Sequence, residues 1–197
     1  MLKRCFDFFC SLIGTIFLSP FLFFIAIWIK MDSKGPVLFI QKRVGLHGKT
    51  IGVYKFRTMV VDAESKGLKI TIGKDPRITK SGQFLRKYKF DELAQLFNVL
   101  NGSMSLVGPR PEVQEYIDLY PEDIRQTVLS VKPGITDFAS IEFKDENEML
   151  DSSADPNRTY IEDILPIKQQ YYLKYVREQS MLLDVKLIFR TIVAVLR

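Results

Sequence analysis

From Phe8 to Ile29 the chain carries no charged residue, a run of 22 residues. A helix rises about 1.5 Å per residue, so this run is long enough to cross a hydrocarbon core of about 30 Å. It is not built like a secretory signal. The apolar region is too long, and large residues occupy the zone where a cleavage site needs small ones. Ser19-Pro20 falls in its middle. Pro20 has no N–H for the carbonyl of Ile16 and its ring crowds the preceding turn, so a kink or break is expected there. Basic residues flank both ends, Lys3 and Arg4 before, Lys30 and Lys34 after. The excess of positive charge on cytoplasmic loops therefore prescribes no orientation. Two arrangements fit: a kinked spanning helix, or a re-entrant helix that breaks at Ser19-Pro20 and returns to the same face. In the second, the freed carbonyl would accept from the Ser19 hydroxyl or from water.

The remaining chemistry is constrained by what is scarce. The chain has 197 residues, enough for one domain with a real core. It has two cysteines, Cys5 and Cys10, both beside or within the apolar run, and one histidine, His47, in a Gly-flanked loop. A disulfide framework, a zinc cluster and a Ser-His pair are thus unsupported. The net charge of +5 and pI near 9.1 favour anionic partners such as anionic lipid or phosphorylated substrates. Nucleic acid is not among them, because no recognised binding motif accompanies the charge. Any catalysis falls to carboxylates, lysines, arginines and a hard metal.

Past Gly35-Pro36, VLFIQKRV and TIGVYKFRTM alternate around the loop Gly45–Lys49 and predict a β-hairpin. Alternation places Lys55 and Arg57 on one face of the second strand, making a basic patch with Lys42 and Arg43. Thr79 or Ser81 is expected to cap a short helix through Arg86. Leu93, Leu96, Phe97 and Leu100 then recur as one helical face, ended by Asn101-Gly102. A helix is expected over Pro121–Leu129, a turn at VKPGIT, and an acidic loop over residues 142–158. A longer helical stretch follows, interrupted at Pro166. At the end, Lys186, Arg190 and Arg197 share one face of an otherwise apolar helix suited to a bilayer surface.

Asp91 and Glu92 open the Leu93 stripe directly after Arg86, Lys87 and Lys89. Acids in a first helical turn stabilise it through the dipole, and Asp is a good cap. Yet adjacent helical residues diverge by about 100°, so a pair exceeds what capping needs. Carboxylates kept ionised by neighbouring cations can bind a divalent metal or attack phosphorus. Arg110 stands between Pro109 and Pro111, and a guanidinium on so stiff a loop is well suited to phosphate.

DPRITKSGQFLRKYKFDELAQLFNVLNGSMSLVGPRPE, together with the Ser-Pro of the apolar run, QKRVG, YKFRTM, KPGIT and LLDVKLIF, resembles the bacterial sugar transferases, the monotopic phosphoglycosyl transferases. The likeness covers nearly the whole chain, and the length is similar to that of the small members. It implies a mostly helical α/β fold, with a re-entrant anchor over residues 1–34. Residues 35–197 would form one cytoplasmic domain, with a small β-hairpin and amphipathic interfacial helices. It implies transfer of a sugar-1-phosphate from a UDP-sugar to undecaprenyl phosphate at the cytoplasmic face of the bacterial inner membrane, yielding undecaprenyl-diphosphate-sugar and UMP. Such a step initiates O-antigen, capsule, exopolysaccharide or glycoprotein-glycan assembly. By the same resemblance the reaction is ping-pong through a phospho-sugar on Asp91, with Mg²⁺. Glu92 would place metal or handle a proton, and Arg110 would hold phosphate with Arg86, Lys55 and Arg57 in support. Asp91 and Glu92 are the implied metal ligands, and Ser19 and Pro20 the re-entrant break. The chain departs from the family pattern at Ala94, Ser103, Asp137 and Ser140, and in its long acidic stretch. The sugar and any self-association stay open. The competing reading is a non-catalytic, membrane-anchored module that holds polyprenyl phosphate or a partner protein.

Overall fold

The computed structural model describes residues 1–61, 63 and 75–196. The apolar run forms α1 (Leu2–Asp32), long and apolar enough to cross a membrane. The break expected at Ser19-Pro20 does not take the form of a loop, because the helix runs through it. The Ser19 hydroxyl donates to the Ile16 carbonyl at 2.8 Å. That oxygen is the one Pro20 leaves without a backbone donor, so a local side chain repairs the defect. One side of α1 buries Asp7, Ser11, Leu22, Ile25 and Ile29, whereas Ile13, Ile16, Phe17, Phe23 and Phe24 face outward.

Both ends of α1 are clamped to the same domain. Near its start, Lys3 pairs with Asp184 at 2.6 Å and Arg4 donates to the carbonyls of Val99 and Leu100. Asp7 accepts from the Ser105 hydroxyl at 2.8 Å and the Leu106 amide at 3.2 Å. At its finish, Asp32 accepts from the amide and hydroxyl of Ser81, both at 2.8 Å. Arg57 donates to the carbonyl and hydroxyl of Ser33 at 2.7 and 2.9 Å.

The hairpin forms as expected, with β1 (Leu38–Val44) antiparallel to β2 (Thr50–Phe56) and Val44 opposite Thr50. Next comes α2 (Lys80–Lys87), capped by Thr79, whose hydroxyl accepts from the Gly82 amide at 3.0 Å. Phe90–Gln95 make a 3₁₀ turn that leads into α3 (Leu96–Asn101), and Gly102 at φ 87° terminates it in the left-handed conformation a glycine allows. The Leu93 stripe is not fully buried: Leu93, Leu96 and Leu100 are half-buried and Phe97 is exposed, with Leu93 packed on the cluster that α1 shares with Phe56, Leu85 and Ala94. The buried residues are Asp91, Ala94, Gln95, Asn98 and Val99, and α1 packs against α3. Buried Asn98 stitches this segment to the hairpin: it accepts from the Tyr54 amide at 2.8 Å and donates to the Gly52 carbonyl at 2.7 Å.

After α3, β3 (Ser105–Val107) runs parallel to β4 (Gly134–Thr136). KPGIT is thus the entry to a strand rather than only a turn. Gly108 and Gly134 approach so closely that a Cβ on Gly134 would lie 2.1 Å from the Gly108 nitrogen. Between the strands lie α4 (Gln114–Ile117) and α5 (Glu122–Val128), the latter forming where the sequence suggests but with Pro121 just before the helix rather than in its first turn. α6 (Phe138–Glu142) starts at Asp137, whose carboxylate accepts from the Ser140 amide at 2.7 Å. The acidic stretch is not a plain loop. It folds into α7 (Glu146–Asp151) and α8 (Pro156–Thr159), pinned by buried Leu150 and capped at Asp155. A π turn over Tyr160–Ile164 feeds α9 (Leu165–Glu178), in which Pro166 sits in the first turn and interrupts nothing.

The chain ends in α10 (Met181–Leu196). It buries Asp184 and Leu187 but exposes Leu182, Val185, Phe189 and Ile192 beside Lys186 and Arg190. Arg197 lies outside the described residues. Two hydrophobic clusters support the site. Tyr116, Ile117, Tyr160, Ile164 and Tyr172 fill the space under α5 and α9, and Leu22, Ile25 and Ile29 of α1 pack on Phe56, Leu85 and Ala94. Each fully buried aliphatic side chain contributes roughly 1.5–3 kcal/mol, so the second cluster binds α1 firmly to the domain.

Candidate active site

Three local structures converge. The middle of β2 supplies Lys55, the 3₁₀ turn supplies Asp91 and Glu92, and the loop after β3 supplies Arg110. That loop is braced on both sides. The Gly108 amide donates to the Thr136 carbonyl and the Gly134 amide to the Pro109 carbonyl, both at 3.0 Å. The Val44 amide donates to the Glu112 carbonyl at 2.8 Å, and Arg43 to the Pro111 carbonyl at 3.2 Å. The stiffness expected from the two prolines is therefore reinforced by hydrogen bonds to the hairpin and β4.

Arg110 engages both oxygens of Glu92, with Nη1 to Oε2 at 3.0 Å and Nη2 to Oε1. Lys55 Nζ donates to the same Oε1 at 3.2 Å. Burial opposes ionisation of Glu92, but Arg110 and then Lys55 outweigh it and hold its carboxyl well below the usual range. Glu92 in turn holds the Arg110 guanidinium firmly charged. Burial pushes the Lys55 ammonium down, with Glu92 opposing.

Asp91 is different. Its residue is only 9% exposed, yet among the described residues its side chain makes no hydrogen bond. Burial raises its carboxyl above the usual aspartate range, with Lys55 pulling the other way. Neither acid caps the turn. The turn begins at Lys89, in the left-handed region at φ 56°, whose carbonyl accepts from the Glu92 amide at 3.2 Å. Asp91 is thus free of the structural duty that its position in the sequence suggests.

The other expected ligands divide. Arg86 is near enough for its charge to favour ionised Asp91, and its Nε donates to the Thr58 hydroxyl at 2.9 Å. Arg57 lies beyond the end of β2 and is 5% exposed, with its guanidinium turned onto the end of α1. Strand alternation stops at Phe56, so Arg57 does not share the site with Lys55 and instead fastens the end of α1. Lys42 is exposed, and Arg43 serves the braced loop.

Sequence reasoning missed the support behind Arg110. Glu112, 4% exposed, accepts from the Tyr160 hydroxyl at 2.9 Å and faces Arg43 at 3.4 Å and Lys168 at 4.0 Å. Lys168 also pairs with Glu146 at 2.5 Å. This buried set ties the acidic stretch to the residue two after Arg110. The only signal in the sequence is a glutamate adjoining GPRP.

For a divalent cation, the described residues hold no group of three or more His, Cys, Asp or Glu side chains. Mg²⁺ is commonly held by one or two carboxylates together with substrate phosphates, and Asp91 offers a carboxylate with no competing hydrogen bond. The donor set fits that mode, with Glu92 as the second oxygen donor already balanced by cations.

The model for "Bacterial sugar transferase" matches residues 1–197. The UDP-glucose:undecaprenyl-phosphate glucose-1-phosphate transferase of Escherichia coli (strain K12) is 38% identical over 98% of this chain and 39% of its own length. The UDP-N-acetylgalactosamine-undecaprenyl-phosphate N-acetylgalactosaminephosphotransferase of Aeromonas hydrophila is 36% identical over 99% of this chain and 44% of its own. This chain thus spans about two fifths of those relatives. The exopolysaccharide production protein PSS of Rhizobium leguminosarum bv. phaseoli is 40% identical over 98% of this chain and 94% of its own length. With a matching family model over its whole length and the Asp-Glu pair and braced arginine assembled at one place, the chain belongs to the bacterial sugar transferase family.

Proposed function

We propose that the chain is a phosphoglycosyl transferase that moves a sugar-1-phosphate from a UDP-sugar to undecaprenyl phosphate. The observation that carries this reading is the carboxylate of Asp91, a residue only 9% exposed, which makes no hydrogen bond among the described residues and lies beside a Glu92 already neutralised by Arg110 and Lys55. The relatives' names, which specify undecaprenyl phosphate as acceptor, support the substrate class.

In the first step an Asp91 oxygen attacks the phosphorus that bears the sugar. The new bond is aspartyl oxygen to phosphorus, and the bond that breaks joins that phosphorus to the bridging oxygen, which leaves with UMP. In the second step a phosphate oxygen of undecaprenyl phosphate attacks the same phosphorus. Asp91 departs as carboxylate, and undecaprenyl-diphosphate-sugar is formed. A covalent intermediate lets a soluble donor and a lipid acceptor use one site in turn. Mg²⁺, when bound with Asp91 and Glu92, would supply charge neutralisation at the diphosphate. Arg110 has N–H donors beyond those given to Glu92, and these would hold the transferring phosphoryl oxygens on a loop that need not reorganise. Lys55 and Arg86 add positive potential where negative charge gathers.

The anchor is read as re-entrant and monotopic, with residues 1–34 in one leaflet and residues 35–197 on the cytoplasmic face of the inner membrane. A spanning α1 would carry one of its ends across the bilayer. Lys3, Arg4 and Asp7 at one end, and Asp32 and Ser33 at the other, all bond to the same domain. The exposed apolar and basic surface of α10 suits the same interface. Thiol labelling at single cysteines placed near residues 3 and 34 should report one side of the membrane, and labels on opposite sides would restore a spanning helix.

The chemical step is tested without acceptor. Protein given Mg²⁺ and a panel of UDP-sugars should gain the mass of a phospho-sugar on Asp91 and release UMP. No adduct with any donor, together with retained binding of undecaprenyl phosphate, would favour a non-catalytic lipid-binding module. The panel also names the sugar.

A further inference from the structure

Between α1 and Asp91 lies a ribbon of aromatic rings that the proposed chemistry leaves unused. Phe21 and Trp28 lie two turns apart on α1, about 10 Å along its axis. Phe21 packs edge-on against Phe90 with ring centroids 5.1 Å apart, and Trp28 against Phe84 at 5.3 Å. Phe84 meets Tyr88 at 4.8 Å and Phe90 at 6.0 Å, and Tyr88 stacks on Phe90 at 5.7 Å and 26°. The rings form one connected surface, yet Phe21, Trp28, Phe84 and Tyr88 stay between 38% and 41% exposed. Contiguous exposed aromatics of this kind mark a surface meant to be covered.

Two features say what covers it. The ribbon is continuous with the outward apolar side of α1, where Phe17 and Phe24 are exposed, and its other end is Phe90, the residue before Asp91. It therefore leads from the lipid-facing helix to the reacting carboxylate. Second, its only polar side-chain atoms are the Tyr88 hydroxyl and the Trp28 indole N–H, too few to read the hydrogen-bonding edge of a nucleobase. At its inner end Lys89 takes the left-handed conformation, φ 56° and ψ 20°, and this reversal brings Tyr88 and Phe90 to the same side. Glycine would adopt that conformation without strain. Lysine adds an ammonium that makes no hydrogen bond or ion pair among the described residues and whose charge bears on Asp91 and Glu92.

We propose that this ribbon is the track for the isoprenoid chain of the lipid acceptor, with Lys89 receiving the acceptor phosphate beside Asp91. The proposal rests on the transferase reading and adds the acceptor subsite to it. An unsaturated, methyl-bearing chain lies well on ring faces, and the phosphate at its end needs a cation at the point where the rings stop.

Trp28 is the only tryptophan in the chain, so its fluorescence reads the ribbon directly and without turnover. Titrating the full-length protein in detergent micelles with undecaprenyl phosphate should shift Trp28 emission saturably. Undecaprenol, which lacks the phosphate, should need at least ten-fold more, and Lys89→Met should erase that difference. In turnover assays, Phe84→Ala/Tyr88→Ala should raise KM for undecaprenyl phosphate at least ten-fold with KM for the UDP-sugar unchanged. It should also flatten the preference for undecaprenyl over farnesyl phosphate. Unchanged acceptor KM, or an equal rise for both substrates, overturns the proposal. Sedimentation with phosphatidylethanolamine–phosphatidylglycerol vesicles lacking acceptor should match wild type, and loss of binding there would make the ribbon a bilayer anchor instead. A saturable Trp28 response in a protein that forms no adduct with any UDP-sugar would sink the transferase reading while leaving the lipid track standing.

Discussion

Two buried sets of carboxylates and cations lie on either side of the GPRP loop, and they are built to opposite ends. Behind the loop, Glu112, Tyr160, Lys168, Glu146 and Arg43 satisfy one another. In front of it, Arg110 and Lys55 converge on Glu92, and Asp91 is left without a hydrogen bond. A buried carboxylate is costly unless paired, so the first set holds the fold together while the second keeps one group poorly satisfied. Such deliberate dissatisfaction is a mark of a reactive group. Residue types do not separate the two sets. Partner geometry does.

The sharpest way to break the comparison is Asp91→Asn. Turnover measured by UMP release should fall at least ~1,000-fold, as for removal of a covalent nucleophile, while thermal stability holds or rises. Stability is expected to hold because the folded state raises the Asp91 carboxyl. Its contribution is present below the unfolded-state value and lost as pH rises through the folded one, so at neutral pH the charge works against folding. Retained turnover would erase the distinction between the sets.

Lys168→Met attacks the opposite set. It leaves Glu112 and Glu146 without their shared cation and should destabilise the protein by roughly 3 kcal/mol in urea unfolding, with a smaller loss of activity per folded molecule. A stability change under about 0.5 kcal/mol would show that the rear set is not structural.

The pH profile separates the two acids within the front set. Protonated Asp91 cannot attack, so the acid limb of kcat/KM should lie above the ordinary aspartate value of about 3.9, and replacing the nearby cation in Lys89→Met should move it further up. Glu92 has the opposite sign. Its depressed carboxyl contributes stability above the unfolded value of about 4.3, and that contribution is lost as pH falls through the folded one. An acid limb below pH 4 would contradict the burial that raises Asp91. The smallest expected effect is Ser19→Ala, which removes one hydrogen bond to the Ile16 carbonyl and should lower stability by about 1 kcal/mol.

Much of the fold was legible because its causes are local. Thr79 caps α2 through its own hydroxyl, Gly102 ends α3 at positive φ, and alternation writes the hairpin. The parts that were not legible depend on distant chain. β3 and β4 have three residues each and exist only because Ser105 and Gly134 meet across the fold. Periodicity identified the Leu93 stripe as an apolar face but could not say whether α1 or the domain core would cover it. The acidic stretch reads as solvated loop until Leu150 and Glu146 find their places against α8, α9 and Lys168. Within the site, Asp91, Glu92, Arg110 and Lys55 were all legible. Arg57 was misplaced because alternation was carried one residue too far, and Glu112 was missed because its partners lie 48 or more residues away.

The sequence by itself determined that α1 would be apolar, that its proline would need a repair, and that an Asp-Glu pair and a stiff arginine would be available. These follow from side-chain chemistry and near-neighbour spacing. Only the tertiary structure decided which acid is neutralised and which is left open, which arginine serves the site and which fastens α1, and that both ends of α1 fasten to one domain. Those outcomes are set by hydrogen bonds and ion pairs between segments far apart in the chain, and spacing along the chain does not encode them.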